Sequence, residues 1–406
     1  MIKEIISNRG NSMNNFTEVV IVSAVRTPIG AFNGALASLS ATKLGSLVIQ
    51  EVLKRTKVPP AEVNEVIMGN VLTAGEGQAP ARQAAIFAGL PPSVGCMTIN
   101  KVCGSGLKAV MLAAQSIALG EANIVVAGGM ESMSNVPYYL PKARFGYRLG
   151  HGEIQDGMVY DGLWDVYHNY HMGNAAELCA RECNISRESQ DEFAILSYQR
   201  ALQAQQQGWF NEEIVPVILK GKGEDVLVEK DEEPEKVKFD KIRSLKPVFE
   251  KEGTVTAANA SKINDGAAAL LLMSAEMARK LKLQPLARIS GYSTASKAPE
   301  WFTTAPADAI SLLLKNKGLS LINIDLFEIN EAFAVVSLAV NQLLKLSVEK
   351  VNIAGGAVAL GHPIGASGAR ILTTLLYNLK RTKGKHGIAS LCIGGGEAVA
   401  LLVEMM

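Results

Sequence analysis

Three glycine-rich loops carry the residues of this chain that are best suited to chemistry, and the first of them holds a cysteine. Cys103 lies within residues 100–106 (NKVCGSG), directly after a predicted strand and at the start of a predicted helix. Backbone amides and the dipole at a helix N-terminus favour a thiolate, so this position suits a nucleophilic thiol. A buried packing cysteine is the alternative. Dinucleotide binding fits less well, because residues 104–109 match only a relaxed G-x-G-x-x-A pattern and no acid follows the next strand.

The other two loops offer an imidazole and a second thiol. His362 lies in a loop over residues 355–368 (GGAVALGHPIGASG), and Cys392 lies in residues 390–397 (SLCIGGGE), at the end of a predicted strand. An imidazole there could deprotonate a thiol or donate to an oxyanion, and a second thiol could act as an acid or base. The alternatives are a structural histidine and a core cysteine.

The spacing of the remaining cysteines and histidines does not indicate a metal site. Cys179 and Cys183 have i, i+4 spacing on a predicted helix, but no further ligands accompany them, so packing is the favoured interpretation. Three histidines between residues 151 and 171 lack the spacing of a zinc site. The chain has neither a G-x-S-x-G motif nor a phosphate-binding P-loop.

Alternating strand and helix patterns must position these loops. The spacing predicts a helix over residues 107–119 and a strand over 124–127, and the second half repeats this with a helix over 369–380 and a strand over 388–393. Ser-Gly pairs precede both helices, which indicates a duplicated α/β unit. We therefore predict an α/β fold with a largely parallel sheet, interrupted after residue 131 by a loop-rich inserted region.

Composition and charge exclude several classes of protein. The chain has 406 residues, with 40 Lys+Arg against 39 Asp+Glu and a formal net charge of +1, which argues against nucleic-acid or anionic-membrane binding. Five cysteines make no disulfide framework. No apolar run approaches the roughly 18 residues of a membrane span, and residues 1–16 are predicted to be a flexible extension without a secretory signal. We expect a cytoplasmic protein that does not enter a membrane.

Taken together, the segments resemble the thiolase family from residue 19 to the end of the chain. Six motifs occur in the family's order: residues 23–30 (SAVRTPIG), 77–83 (GQAPARQ), 128–134 (GGMESMS), 330–333 (NEAF), the His362 loop and the Cys392 loop.

The resemblance implies the thiolase fold, with two similar α/β halves stacked as a five-layer α-β-α-β-α sandwich and an inserted loop domain. The implied N-terminal half covers residues 17–131 and 264–284. The inserted domain, expected to bind substrate, covers 132–263, and the C-terminal half covers 285–406.

The resemblance also implies a Claisen condensation and its reverse on thioesters of coenzyme A (CoA), with no metal or redox cofactor. By family analogy, His362 helps deprotonate Cys103, which takes an acetyl group as a covalent thioester, and Cys392 removes a proton from the methyl carbon of a second acetyl-CoA. One oxyanion hole is expected from the backbone N–H groups of Cys103 and Gly394. The other is expected from His362 and a water held by Asn330.

Substrate-binding residues follow from the same resemblance. His171 and Met172 resemble the short-chain version of the inserted loop and are expected to border the thioester. The positions that match the CoA channel of that subfamily are Leu163, Phe249, Ala258, Ser261, Ala332 and Phe333.

Two segments depart from the family pattern. Residues 232–235 (EEPE) stand where many relatives have Arg near the adenine and its phosphates. Phe302 and Thr303 replace a Met-Gly pair near the pocket, which is expected to reshape the acyl site.

The expected function is therefore acetyl-CoA C-acetyltransferase, the reversible condensation of two acetyl-CoA to acetoacetyl-CoA and CoA. The alternative is a broader-chain 3-ketoacyl-CoA thiolase of fatty-acid β-oxidation. A condensing enzyme that acts on carrier-protein thioesters and a catalytically dead thiolase-like scaffold are further hypotheses. The expected partners are the CoA substrates and three further copies of the chain, in a homotetramer built as a dimer of dimers.

Overall fold

The structure, a computed structural model, describes residues 16–221 and 223–406. The predicted extension over residues 1–16 lies outside this range except for its last residue. The strands are β1 (Val19–Arg26), β2 (Gly30–Ala31), β3 (Glu65–Gly69), β4 (Gly95–Ile99), β5 (Ile124–Ser132), β6 (Tyr138–Tyr139), β7 (Gln155–Asp156), β8 (Trp164–Asp165), β9 (Tyr170–His171), β10 (Val217–Leu219), β11 (Val226–Val228), β12 (Asn264–Ser274), β13 (Ala287–Ser296), β14 (Leu326–Ile329), β15 (His386–Ile393) and β16 (Glu397–Met405). The α-helices are α1 (Ala41–Thr56), α2 (Pro80–Phe87), α3 (Ser105–Ala118), α4 (Met172–Glu182), α5 (Arg187–Gln206), α6 (Phe239–Ile242), α7 (Ala275–Lys280), α8 (Ala305–Lys317), α9 (Ala334–Leu344), α10 (Ala357–Leu360) and α11 (Ile364–Thr382).

The long strands form one mixed sheet in the order β14-β15-β16-β13-β1-β12-β5-β3-β4. Among the described residues, parallel pairing in this sheet occurs only at its two ends, between β14 and β15 and among β3, β4 and β5. The central pairs are antiparallel, so the prediction of a largely parallel sheet was wrong. Strands buried on both faces are apolar at nearly every position, and this pattern does not encode strand direction.

Helices cover both faces of each half of the sheet and give the five predicted layers. One outer layer, α1 and α2, packs on strands β1, β3, β5 and β12. The helices α3 and α11 lie between the two halves and contribute to the largest core cluster. The other outer layer includes α8, which packs on β13, β15 and β16. The two halves meet where Val20 and Ile21 of β1 pair with Arg288 and Ala287 of β13.

The two central helices approach each other at glycine. A Cβ atom on Gly106 of α3 would lie 2.8 Å from the backbone N of Ala369, and one on Gly368 of α11 would lie 2.3 Å from the backbone N of Leu107. Real Cβ atoms do not tolerate these distances, so glycine is required where the helices cross. The repeated Ser-Gly pairs therefore mark equivalent close contacts in the two halves.

The inserted region contains more regular structure than was predicted. It includes α4 and the 20-residue helix α5, whose N-cap Ser186 accepts a hydrogen bond from the backbone N–H of Ser189. The prediction of a loop-rich segment was therefore wrong for residues 172–206. The sequence of α5 shows no clear apolar stripe because the face that packs on α9 and α10 includes the buried polar residues Gln190, Asp191 and Ser197. The exact division into halves and insert stays a prediction.

Candidate active site

A cleft of about 340 Å³ lies between the inserted region and the loop that carries His362. Two segments that line it are joined by backbone contacts. The backbone N–H of Ser261 donates to the carbonyl of Ala332 at 3.0 Å, and Ala260 forms a β-bridge with Phe333. The residues that line it are mostly apolar, as expected for a channel that binds an extended organic arm. They include Met133, Leu163, His171, Phe249, Ser261, Phe333, His362 and Ile364.

Cys103 lies beside the base of this cleft. It packs against the cluster that contains Met133 and Ile364, both of which line the cleft. The turn that presents it is strained, because the preceding residue Val102 has φ +45°. β-Branched residues rarely adopt this left-handed conformation, which is typical of turns that hold a functional group in place. The cysteine is therefore presented from a fixed turn between β4 and α3.

Burial dominates the acidity of the Cys103 thiol. It raises the pKa of Cys103 to about 11, even though the backbone N–H groups of Gly394 and of Cys103 itself hydrogen-bond to the sulfur and oppose the shift. The backbone donors thus lower the pKa of Cys103, as expected for this position, but burial outweighs them in the substrate-free protein. A thiol of this acidity needs a base to accept its proton before it can attack a thioester.

His362 has the geometry of such a base. Its Nδ1 lies 2.6 Å from Oγ of Ser367, and that hydroxyl donates to the carbonyl of Pro363 at 2.8 Å. Because the hydroxyl has one proton, Oγ accepts from Nδ1–H, which leaves a lone pair on Nε2. Nε2 is buried without a hydrogen-bond partner in the described part of the chain. Burial, with a contribution from Arg370, lowers the pKa of His362 to about 3, so the imidazole is neutral in the substrate-free protein.

Two buried polar side chains hold the histidine loop in place. Oδ1 of Asn264 accepts from the backbone N–H of His362 at 3.0 Å, and its Nδ2 donates to the carbonyl of Gly30 at 2.9 Å. The Glu131 carboxylate accepts from the backbone N–H of Gly365 and from the backbone N–H groups of Val71 and Leu72. The loop is thereby fixed to elements of the N-terminal half.

Asn330 follows β14 and is buried, with 1% of its surface exposed. Its backbone N–H donates to the carbonyl of Ser390, yet neither its Nδ2 nor its Oδ1 has a hydrogen-bond partner among the described residues. Buried amides are normally satisfied, so these two atoms indicate a place for a water molecule or a ligand.

Cys392 lies near the end of β15 and is buried in a cluster with Met172, Phe302 and Phe333. Its pKa is raised well above the ordinary value, first by burial and then by the charge interaction with the nearby Cys103. Cys392 is therefore a thiol in the free protein. The structure thus brings two cysteines from opposite halves of the molecule close together.

Aromatic rings form one wall of the cleft. The His171 ring stacks on Phe249 with 4.7 Å between centroids, and Phe249 meets Phe333 edge to face at 6.2 Å. The Nδ1 atom of His171 accepts from the backbone N–H of Gly173, and burial lowers its pKa. A neutral ring stacked in this way leaves Nε2 available to a polar group of the ligand.

The structure brings five of the nine predicted binding residues to the cleft and leaves four away from its lining. Leu163, His171, Phe249, Ser261 and Phe333 line the cleft. Four others are not among its lining residues: Ala258, Ala332, Phe302 and Met172, all of which are buried. Of these, Met172 lines a second cleft of about 490 Å³ together with Val102 and Gly394, whereas Ala258 belongs to the core around α5.

The acidic segment that departs from the family pattern, residues 232–235, makes hydrogen bonds and charge contacts with other parts of the protein. Glu232 accepts from the backbone N–H groups of Ala31 and Ala35, both at 2.9 Å. Glu233 lies near Lys262, whose pKa is lowered to about 8 by burial while Glu233 opposes the shift. Lys262 is the single lysine or arginine among the described residues that line the cleft.

Sequence reasoning missed the residues that support the catalytic candidates. Ser367 lies in the same glycine-rich loop as His362, so its spacing could have suggested a contact. Asn264 and Glu131 lie far from that loop in sequence, and only the folded structure brings them to it.

The described residues contain no cluster of three or more His, Cys, Asp or Glu that could hold a metal ion. In the same part of the chain, no helix combines the length and the apolar character required to cross a membrane.

Comparisons with known proteins agree with the motifs. The family profile for the thiolase N-terminal domain matches residues 19–276, and that for the thiolase C-terminal domain matches residues 283–405. The chain is 56% identical over 395 residues to acetyl-CoA acetyltransferase 2 of Arabidopsis thaliana, covering 97% of this chain and 98% of that protein. It is 55% identical over 390 residues to acetyl-CoA acetyltransferase of Schizosaccharomyces pombe, covering 96% and 99%.

A solved structure gives the same result for the fold. The crystal structure of the Bacillus anthracis acetyl-CoA acetyltransferase superposes with a TM-score of 0.95 and 47% identity, covering 97% of this chain and all of that chain. The resemblance inferred from the motifs is therefore confirmed, and the chain belongs to the thiolase family.

Proposed function

We propose that this protein is an acetyl-CoA C-acetyltransferase, which condenses two acetyl-CoA molecules to acetoacetyl-CoA and CoA and catalyses the reverse thiolysis. The observation that carries the proposal is the proximity of two thiols, Cys103 and Cys392, whose neighbours Gly104 and Ile393 are in contact, beside a cleft lined by the buried imidazole of His362. Relatives at 55–56% identity are named acetyl-CoA acetyltransferase, which supports the same activity.

The first half-reaction forms an acetyl-enzyme. Nε2 of His362 accepts the proton of Cys103, and the sulfur attacks the thioester carbonyl of acetyl-CoA. The backbone N–H groups that face this sulfur, those of Cys103 and Gly394, then stabilise the oxyanion. When the carbon–sulfur bond to CoA breaks, the departing thiolate takes the proton of Cys392, which is held as a thiol by burial. The half-reaction therefore ends with an imidazolium and a Cys392 thiolate.

The second half-reaction uses both of these charges. The Cys392 thiolate removes a proton from the methyl carbon of a second acetyl-CoA, and the enolate oxygen is stabilised by the His362 imidazolium and by a water held by Asn330. The unpartnered amide of Asn330 supports this role. The enolate carbon attacks the acetyl group, acetoacetyl-CoA forms, and the Cys103 thiolate recovers its proton from His362. The proposal includes no metal or redox cofactor, because these side chains account for every proton.

A short acyl group fits the surroundings of the thiols. Beyond Cys392, the space is filled by the buried side chains of Met172, Phe302 and Phe333. We expect the kcat/KM for thiolysis of 3-ketoacyl-CoA to be highest for acetoacetyl-CoA and to fall by about tenfold or more for a six-carbon chain, because added methylenes meet occupied space. Steady-state thiolysis of four- to ten-carbon substrates measures this. A maximum at eight or ten carbons would instead favour the broader 3-ketoacyl-CoA thiolase.

We also propose a homotetramer, formed as a dimer of dimers. The outer edge of β4 has no strand partner among the described residues, and Phe87 and Met97 are exposed beside it, which supports one interface. Exposed Leu140, Phe145 and Leu149 support a second. Light scattering coupled to size exclusion is expected to give four times the 43.3 kDa of the chain, and a monomer would contradict both interfaces.

We propose a cytoplasmic location and a role in fatty-acid metabolism. The supporting observations are the five cysteines, all of them free, which suit a reducing compartment, and the acyl-CoA substrates of the proposed reaction. Fractionation of the source cells with activity assays tests the location, and recovery of the activity in a membrane or organelle fraction would contradict it.

A further inference from the structure

The proposed acetyl transfer depends on two backbone donors that belong to different parts of the chain. The N–H of Cys103 is in the turn between β4 and α3, and the N–H of Gly394 is in the turn between β15 and β16. These two turns are here called the thiol turn (residues 100–104) and the glycine turn (residues 394–397). An oxyanion hole works only when both donors stay within hydrogen-bond distance of one oxygen, so the separation of the turns must be fixed.

Apolar packing, the hydrogen bond from the Gly394 N–H to the Cys103 sulfur and one ion pair hold the two turns together. No backbone-to-backbone hydrogen bond joins them in residues 16–221 and 223–406. On the buried side, the side chain of Ile393, directly before the glycine turn, packs so closely on Gly104 that a Cβ atom there would clash with it, and a Cβ atom on Gly394 would lie 3.7 Å from Cγ1 of Val102. One ion pair crosses between them, from Nζ of Lys101 to Oε2 of Glu397, at 2.6 Å.

Both ends of this ion pair are anchored. The backbone N–H of Lys101 donates to Oγ of Ser105 at 2.8 Å, directly before the strained residue Val102. Glu397 begins β16, and its Oε1 accepts from Oγ of Ser296 at 3.1 Å. The turn before it runs through two glycines with φ of +90° and +87°. A displacement of either charged side chain therefore acts on the turn that carries a donor.

The surrounding charges make the acid the more important partner. Lys108 of α3 lies close enough that the charge of Lys101 lowers its pKa, after burial, while Glu397 opposes the shift. Glu397 thus faces two lysines. If its charge is removed, the lysines repel each other beside the thiol turn, whereas removal of Lys101 leaves Glu397 with Lys108 as a partner.

We propose that the Lys101–Glu397 ion pair is a positioning device that sets the separation of the two oxyanion-hole donors. This inference rests on the proposed function, because it needs an acetyl transfer to Cys103. The pair is partly exposed, at 22% and 33%, so its contribution to the stability of the fold is small. Its effect lies instead in the geometry of the oxyanion hole.

Two reactions of the same sulfur separate this role from a general structural one. Acetyl transfer from acetyl-CoA passes through an oxyanion, whereas alkylation by iodoacetamide does not and needs only the nucleophilic sulfur. In Glu397→Gln, we expect kcat for acetyl transfer to fall by about tenfold, with KM and the alkylation rate of Cys103 within about twofold of the parent protein. Lys101→Met is expected to show the same pattern with a smaller loss. The charge-reversed double variant Lys101→Glu/Glu397→Lys is expected to recover most of the activity lost in Glu397→Gln.

Lys380 and Glu212 provide a matched control. Their ion pair has the same 2.6 Å distance but lies on the surface away from the cleft, so Lys380→Met should leave both reactions unchanged. Acetyl transfer within about twofold of the parent in Glu397→Gln would overturn the inference, as would a parallel loss of acetyl transfer and alkylation. A parent protein that transfers no acetyl group would instead contradict the proposed function.

Discussion

Cys103→Ala is expected to lose both condensation and thiolysis, with kcat reduced on the order of 10⁴-fold or more, because no other group can hold the acetyl intermediate. Cys103 is the sulfur toward which the backbone N–H groups of Gly394 and Cys103 converge. Incubation with radiolabelled acetyl-CoA should label the parent protein and leave the variant unlabelled. Formation of acetoacetyl-CoA is measured in the same samples.

Cys96→Ala is the matched control for this experiment. Cys96 lies on β4, only a few residues before the thiol turn, and is half-buried, but its sulfur contacts Arg82 and the carbonyl of Val94 rather than the cleft. We expect the Cys96→Ala protein to be labelled as strongly as the parent protein. Label on a Cys103→Ala protein, or acetoacetyl-CoA produced by it, would show that the acetyl group is carried elsewhere.

The sequence alone identified the three loops because each combines a reactive side chain with small residues next to a strand or helix boundary. The helix predicted over residues 107–119 is observed as α3, and the strand predicted over 388–393 lies within β15. The repeated Ser-Gly pairs correctly indicated two similar units. Local patterns sufficed here because propensity, periodicity and glycine position agree.

Strand pairing and side-chain contacts between residues distant in sequence could not be predicted from these local patterns. The antiparallel pairing of β5 with β12 joins strands on either side of the long inserted region, and an apolar strand looks the same in either direction. The contacts of Asn264 and Glu131 with the histidine loop join residues that are distant in sequence. The ion pair between Lys101 and Glu397 is of the same kind, because each residue alone looks like an ordinary surface charge.

The pKa values of the two thiols also could not be predicted from sequence patterns. The position of Cys103 at a helix start suggests a lowered pKa, but burial outweighs the backbone donors and raises it to about 11. The consequence is mechanistic. Because both thiols are protonated in the free protein, each half-reaction needs a transfer of a proton between named partners, and the lone pair on Nε2 of His362 becomes essential.

Cys392→Ser is expected to separate the two half-reactions. A serine hydroxyl has the shape of the thiol but is far too weak an acid to become the base, so the condensation rate should fall on the order of 10³-fold. Acetylation of Cys103 should slow much less than condensation, because CoA can leave as a thiolate without the proton that Cys392 supplies and the oxyanion hole is intact. Rapid-quench measurement of acetyl-enzyme, together with acetoacetyl-CoA formation, gives the two rates from one sample.

Cys179→Ala tests whether the loss in Cys392→Ser reflects chemistry or packing. Cys179 belongs to the same buried cluster as Cys392 and is itself fully buried, but it lies on α4 and has Cys183 rather than Cys103 as its neighbouring thiol partner. A cavity at this site should reduce condensation by less than about tenfold, since the acid, the base and both donors remain. If Cys392→Ser lost acetylation and condensation equally, Cys392 would not be the base of the second half-reaction. If it accumulates the acetyl-enzyme while Cys179→Ala turns over, the proton transfer from the methyl carbon belongs to Cys392.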